Sequence, residues 1–202
     1  MPRGFIDFEA LQSDEARAVR ETTPPVGLPF NITRLGHAVL VVQDLKASVD
    51  FYTQILGFRV SDVYPDTMMP GGMVFMRFNT DHHGVALVGQ GKKAAQNAEL
   101  HHLAFEVATI DEVIRARDHL RQHQVKIDFE GRRRAGAQVA VEFRDPDNHS
   151  LEIYWGLDQI GSNAQARPPE EWREELSLKG AVGNPPAGQD TTLADPSLLD
   201  DD

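Results

Sequence analysis

Leu100-His101-His102-Leu103-Ala104-Phe105-Glu106-Val107, followed by Thr109-Ile110-Asp111-Glu112, is the stretch that decides the fold. Its first eight residues read as a strand. Thr109 and Glu112 then form a capping box, which opens a helix with Ile110, Val113, Ile114 and Leu120 on its inward face. Three more strands follow, at 125–129, 138–143 and 150–155. The same order occurs upstream. Residues 33–42 are apolar and β-branched and read as a strand. Asp44 caps a helix whose apolar stripe is Leu45, Val49, Tyr52, Ile55 and Leu56, and Gly57 ends it. Strands at 58–64, 73–78 and 85–88 complete the unit. The copies lie about 65 residues apart, with Leu35-Gly36-His37-Ala38-Val39 matching Leu100-His101-His102-Leu103-Ala104. Asn79-Thr80-Asp81-His82-His83 likewise matches Asp145-Pro146-Asp147-Asn148-His149. A repeat this long is a duplicated supersecondary unit, not a solenoid. The expected fold class is α+β, with two paired βαβββ modules at about 31–90 and 99–156 inside one domain at 31–156.

Arms flank that domain. Within 1–30, residues 14–21 read as a short helix broken by Thr22-Thr23-Pro24-Pro25. Within 157–202, Pro168-Pro169-Glu170-Glu171-Trp172 reads as a helix start. Asn184-Pro185-Pro186-Ala187-Gly188 has no periodicity, so that segment is expected to be extended or mobile and draped over the core. Residues 157–202 hold ten acidic and three basic side chains, a net of −7 out of the chain's −11. The acidic balance argues against nucleic acid as a partner. The chain has no cysteine, which excludes disulfides, thiol catalysis and iron–sulfur clusters. No run approaches the roughly 18 apolar residues of a membrane span. Met1-Pro2-Arg3-Gly4-Phe5-Ile6-Asp7 lacks an apolar signal region, so no membrane partner and a cytoplasmic location are expected.

Two of the eight histidines, His37 and His102, hold matching positions in the first strand of each repeat. Strand alternation puts His37 with Val39 and Val41, and His102 with Ala104 and Glu106. Pairing the modules about a pseudo-twofold axis brings both imidazoles to one cavity. Glu152 lies in an apolar strand, where a carboxylate is costly unless it is paired or binds a metal. Its counterpart in the first repeat is Ala86. Two histidines and one carboxylate form the facial set favoured by non-haem Fe(II), although Mn, Zn, Ni and Co use the same atoms.

Arg34-Leu35-Gly36-His37-Ala38-Val39-Leu40-Val41-Val42-Gln43-Asp44-Leu45 with Phe51-Tyr52-Thr53-Gln54-Ile55-Leu56-Gly57-Phe58 resembles the opening of a vicinal-oxygen-chelate domain. Leu100–Val107 (100–107) and Asp145-Pro146-Asp147-Asn148-His149-Ser150-Leu151-Glu152 resemble its second half. The resemblance covers about 33–156. It implies a U-shaped mixed sheet around a divalent metal held by His37, His102 and Glu152, with His101 on the opposite face. Within this glyoxalase/bleomycin resistance/dioxygenase superfamily, the chain is most similar to one-domain type I extradiol catechol dioxygenases. Glyoxalase I activity is disfavoured, because that pattern needs a fourth ligand where this chain has Ala86. Asp81-His82-His83-Gly84-Val85-Ala86-Leu87 resembles the segment that carries a histidine near the O2 position, which implies His83 as the acid–base group.

The implied activity is Fe(II)-dependent extradiol cleavage of a small aromatic diol by O2, with Mn(II) as the alternative metal. Val39, Phe75 and Tyr154 are the substrate-binding candidates. By analogy with small members of the superfamily, a homo-oligomer is expected. The chain departs from the dioxygenase pattern at 131–143, which lacks the family's substrate-contacting histidine and tyrosine. Glu142 takes the tyrosine slot or faces solvent, and Tyr154 or Tyr64 substitutes from elsewhere. Arg132-Arg133-Arg134 reads as a solvated turn, or in the bolder reading as a clamp for a substrate carboxylate. The competing functions are a non-oxidative metal-dependent lyase or isomerase on the same scaffold and a metal-free small-molecule binding module.

Overall fold

A computed structural model describes residues 6–23, 26, 34–97, 100–160 and 166–199. Strands β1 (Ala38–Val41), β2 (Arg59–Tyr64), β3 (Met73–Arg77) and β4 (Val85–Val88) form one sheet in the order β1-β4-β3-β2. Strands β5 (Leu103–Glu106), β6 (Ile127–Arg132), β7 (Val139–Arg144) and β8 (Ser150–Trp155) form a second sheet in the order β5-β8-β7-β6. In each sheet the first and last strands pair parallel and the other pairings are antiparallel. Both second strands bulge at the equivalent point, between Val60 and Asp62 and between Ile127 and Phe129. The fold is therefore α+β, with two four-stranded mixed sheets, each a βαβββ unit.

The helices form where the local signals place them. Asp44 accepts a hydrogen bond from Ala47 N and starts α3 (Leu45–Asp50). The helix runs on through one π-helical turn, Phe51–Ile55, and ends before Gly57, whose φ is +72°. Thr109 and Glu112 complete their reciprocal capping box at the start of α4 (Ile110–Gln122). Ile110, Val113, Ile114 and Leu120 are all buried. The core lies between these helices and one face of each sheet, where it joins Leu40, Val74, Val85 and Leu87 to Val139, Val141, Phe143 and Leu151.

Polar bonds lock the modules together. Tyr52 Oη donates to Asp145 Oδ2 at 3.1 Å, and Ser48 Oγ donates to Asp147 Oδ2 at 2.9 Å. Gln43 N donates to Asp147 Oδ1 at 2.8 Å. Buried carboxylates are tolerated at this junction because each accepts several such bonds.

The arms differ. Helices α1 (Phe8–Leu11) and α2 (Asp14–Arg20) bury no residue, and the predicted break at Pro24 and Pro25 lies outside the described residues. Residues 166–199 form a strap packed against the core through Leu178, Ala181, Leu193 and Leu198. The expected helix at Pro168 is only the 3-10 turn Pro169–Glu171, and the helix of this arm is α5 (Leu178–Gly183). Leu178 and Ala181 are fully buried against the core. Burying a leucine contributes about 2 kcal/mol.

The Arg132–Arg134 run is not a solvated turn. Arg132 is fully buried and donates to the carbonyls of Ala181, Asn184 and Arg173 and to Gln189 Oε1. It satisfies carbonyls that the end of α5 leaves free. Glu175 pairs antiparallel with Arg132, and a Cβ on Gly131 would overlap the Glu175 carbonyl. Among the described residues, no helix is long and apolar enough to cross a membrane.

Candidate functional site

Each sheet has one face against the helices and one face turned away from them. In the second module the register fixes what shares that open face. Glu152 pairs with Ala104 on one side and with Glu142 on the other, and Glu142 pairs in turn with Phe129. Tyr154 stands two residues beyond Glu152, across from Glu106 and Ala140. His102 lies just before β5, and its Nε2 is 3.4 Å from Glu152 Oε2. In the first module, the equivalent register puts Val39 beside Ala86 and Ala86 beside Phe75. His37 lies just before β1. Its ring centroid is 4.5 Å from that of His83, which in turn packs edge-on against Phe75. Tyr64 closes this aromatic group with its ring centroid 5.0 Å from that of Phe75.

The three expected ligands are thus partly assembled. His102 and Glu152 are together. His37 stands on the other module, with its imidazole against His83. Among the described residues, no three His, Asp or Glu side chains converge on one point suited to a metal ion. Both histidines nonetheless line one cavity of about 420 Å³, which Ala38, Phe78, Ala104 and Phe105 also line. His101 is not separated from His102 by strand alternation. Both precede β5, and their Nδ1 atoms are 2.8 Å apart.

The electrostatics centre on Glu152. Its side chain is 4% exposed, and Oε1 has no hydrogen-bond partner. Burial, reinforced by the neighbouring Glu142 carboxylate, raises its pKa. The nearby His102 is disfavoured as a compensating cation, because burial and then His101 lower its pKa. The His102 imidazole and a half-satisfied buried carboxyl group face one another. That donor set suits a divalent cation, since imidazole nitrogen and carboxylate oxygen are its ordinary ligands and the cation would satisfy the orphaned oxygen. Burial also lowers the pKa of His83, and His37 and His82 lower it further, which favours the neutral ring.

Several site residues were not legible in the sequence. Arg133 lies 3.5 Å over the Phe129 ring and holds Glu142 through Nε at 2.8 Å and Nη2 at 2.7 Å. Glu142 therefore does not simply face solvent. Gln138 brings a second buried oxygen without a hydrogen-bond partner, Oε1. The Arg run at the end of β6 signalled this cluster, but nothing in the spacing told Arg133 from Arg132.

The chain is similar to known proteins in sequence and fold. The model of the Glyoxalase/Bleomycin resistance protein/Dioxygenase superfamily matches residues 34–153. The chain is 30% identical to a 3-methylcatechol 2,3-dioxygenase of Pseudomonas putida, over 62% of this chain and 43% of that protein. It is 34% identical to a biphenyl-2,3-diol 1,2-dioxygenase of a Pseudomonas species, over 67% of this chain and 45% of that protein. The chain spans about half the length of the curated relatives it matches. A solved glyoxylase/bleomycin resistance protein/dioxygenase domain from a Frankia species superposes with a TM-score of 0.54 at 21% identity, over 62% of this chain and 99% of that one. At that identity the superposition speaks to the fold alone.

Proposed function

The chain belongs to the Glyoxalase/Bleomycin resistance protein/Dioxygenase superfamily, and on that premise we propose that it is an Fe(II)-dependent extradiol dioxygenase acting on an aromatic diol with O2. The observation that carries this reading is the buried Glu152 carboxylate, with one oxygen unpartnered and His102 Nε2 at 3.4 Å from the other. The dioxygenase names of the relatives support the choice of reaction.

His102 and Glu152 would hold the metal from the second module, and His37 would complete the set from the first. A divalent metal held there would supply Lewis acidity toward the diol and O2. The chain's own residues account for the rest. Phe75, Tyr64 and Val39 form an aromatic and aliphatic wall on the first module, suited to the face of a ring. His83 sits between that wall and His37, and its lowered pKa favours the neutral imidazole, which can take a proton from a diol hydroxyl and later return it. Tyr154 stands at the edge of the open face beside Glu106, where its hydroxyl stays protonated because burial and then Glu106 raise its pKa.

Oxygen uptake by anaerobically Fe(II)-reconstituted protein tests the proposal, with catechol, 3-methylcatechol, 2,3-dihydroxybiphenyl and protocatechuate as substrates. Uptake coupled to a yellow ring-opened product is expected. Iron-loaded protein that consumes no O2 with any diol would overturn the assignment in favour of a non-oxidative reaction on the same scaffold.

A further inference from the structure

Arg133 is the one member of the 132–134 run that reaches the open face of the second sheet. Arg132 is buried under the strap, and Arg134 Nη2 is held by Glu174 at 3.1 Å. Across that face the strand order sets a sequence of chemistries. Glu152 stands on β8, Glu142 beside it on β7, and Phe129 beside Glu142 on β6, with the Arg133 guanidinium stacked on the Phe129 ring. Neighbouring strands lie about 4.8 Å apart, so Arg133 is roughly two strand spacings from the Glu152 carboxylate. Glu142 takes the Nε and Nη2 donors. Among the described residues, no hydrogen bond uses Nη1, and the side chain remains 32% exposed. The salt bridge is therefore an oriented dipole. Its negative end is beside Glu152, and its positive end, with two N–H groups to spare, lies over β6. Stacking on Phe129 and the two bonds to Glu142 fix the guanidinium in advance, so little rotamer entropy remains to be lost on binding.

We infer that Arg133 reads the substrate's ring substituent and selects diols that carry a carboxylate on a short side chain over diols with an apolar substituent. This inference rests on the proposed function for the placement of the diol oxygens near His102 and Glu152. A catechol bound there and pointing across β7 brings a substituent such as an acetate group to the free edge of the guanidinium. The relatives' printed names carry methyl and phenyl substituents, and a charged wall at this point predicts a different preference.

The test is the anaerobic Kd of Fe(II)-loaded protein for 3,4-dihydroxyphenylacetate and for 4-methylcatechol, read as the ratio of the two. Taking the ratio cancels any change in metal affinity. The unaltered protein should favour the carboxylated diol by about 10-fold or more, the size of one charge-assisted hydrogen bond. Arg133→Met should abolish or invert that preference, because Glu142 is then left unpaired beside the anion. Glu142→Gln should strengthen it, because Arg133 is released. Arg133→Lys, which keeps the charge without the fork, should fall between the unaltered protein and Arg133→Met. A role in folding alone would move Arg133→Met and Glu142→Gln in the same direction. Equal affinities in the unaltered protein, or a ratio unmoved by either substitution, would overturn the inference and leave the proposed function standing. Iron-loaded protein that binds neither diol would overturn both.

Discussion

The two modules share strand order, register and even the position of their bulges, yet their open faces carry opposite chemistry. The site that holds Ala86 in the first module holds Glu152 in the second, and the partner strand carries Phe75 in one and Glu142 in the other. His83 and His149 are equivalent as well. His149 is buried, with Nδ1 2.9 Å from Asp145 Oδ2. His83 lies among His37, His82 and Phe75. The faces turned to the helices stay apolar in both modules, because those side chains make the shared core. Open-face residues add little to that core, so the two copies could diverge there without losing the fold. The result is one polar wall able to hold a cation and one aromatic wall able to face a ring. A second difference lies at the edges. β6 is covered through Glu175, whereas five of the six residues of β2 are exposed.

The sharpest break of the comparison removes the polar wall. Glu152→Gln and His102→Ala should each abolish stoichiometric Fe(II) binding, measured by metal analysis after desalting, with the fold retained in circular dichroism. Full iron occupancy in either variant would refute the ligand assignment. Next in size is the strap. Arg132→Ala leaves several carbonyls unsatisfied and opens a cavity, and should cost about 3–5 kcal/mol in urea unfolding. Limited proteolysis should then cut within 166–199 before the core, and a strap as resistant as in the unaltered protein would show that Arg132 does not hold it. Copying the polar wall onto the first module is the third test. Ala86 is fully buried, so Ala86→Glu should destabilise by about 2–4 kcal/mol. An unchanged urea midpoint would mean that burial does not enforce the asymmetry. The smallest effect is expected at His83, which packs against Phe75 and His37. His83→Phe should keep iron and fold while slowing turnover about 10- to 100-fold, read from steady-state O2 uptake. An unchanged rate would assign the acid–base work elsewhere.

Most of the scaffold could be read from local signals. Residues 85–88 and 150–155 are strands with the bounds expected from the sequence, and the Thr109–Glu112 box needs only four consecutive residues. The repeat also aligns Ala86 with Glu152, and the register reproduces that match, pairing Val39 with Ala86 and Ala104 with Glu152. His37 precedes Val39, and His102 precedes Ala104, by two residues. What escaped was non-local. The π-helical turn at Phe51–Ile55 and the helix Leu178–Gly183 carry no distinctive local pattern, and the latter forms against the core. Three consecutive arginines look alike in sequence, yet they have three different environments.

The sequence by itself determined the duplicated βαβββ order, the helix caps and the identity of the polar residues on each first and last strand, because these depend on near neighbours and on a period of two. Only the tertiary structure decided which carboxylate lies buried with an oxygen unpartnered, which arginine is buried under the strap and which is presented on the open face. Burial and partners 40 or more residues away, as in the Arg132–Asn184 and Arg134–Glu174 bonds, take two of the three arginines, and only Arg133 is left to pair across β6 and β7 with Glu142; no local pattern encodes that sorting.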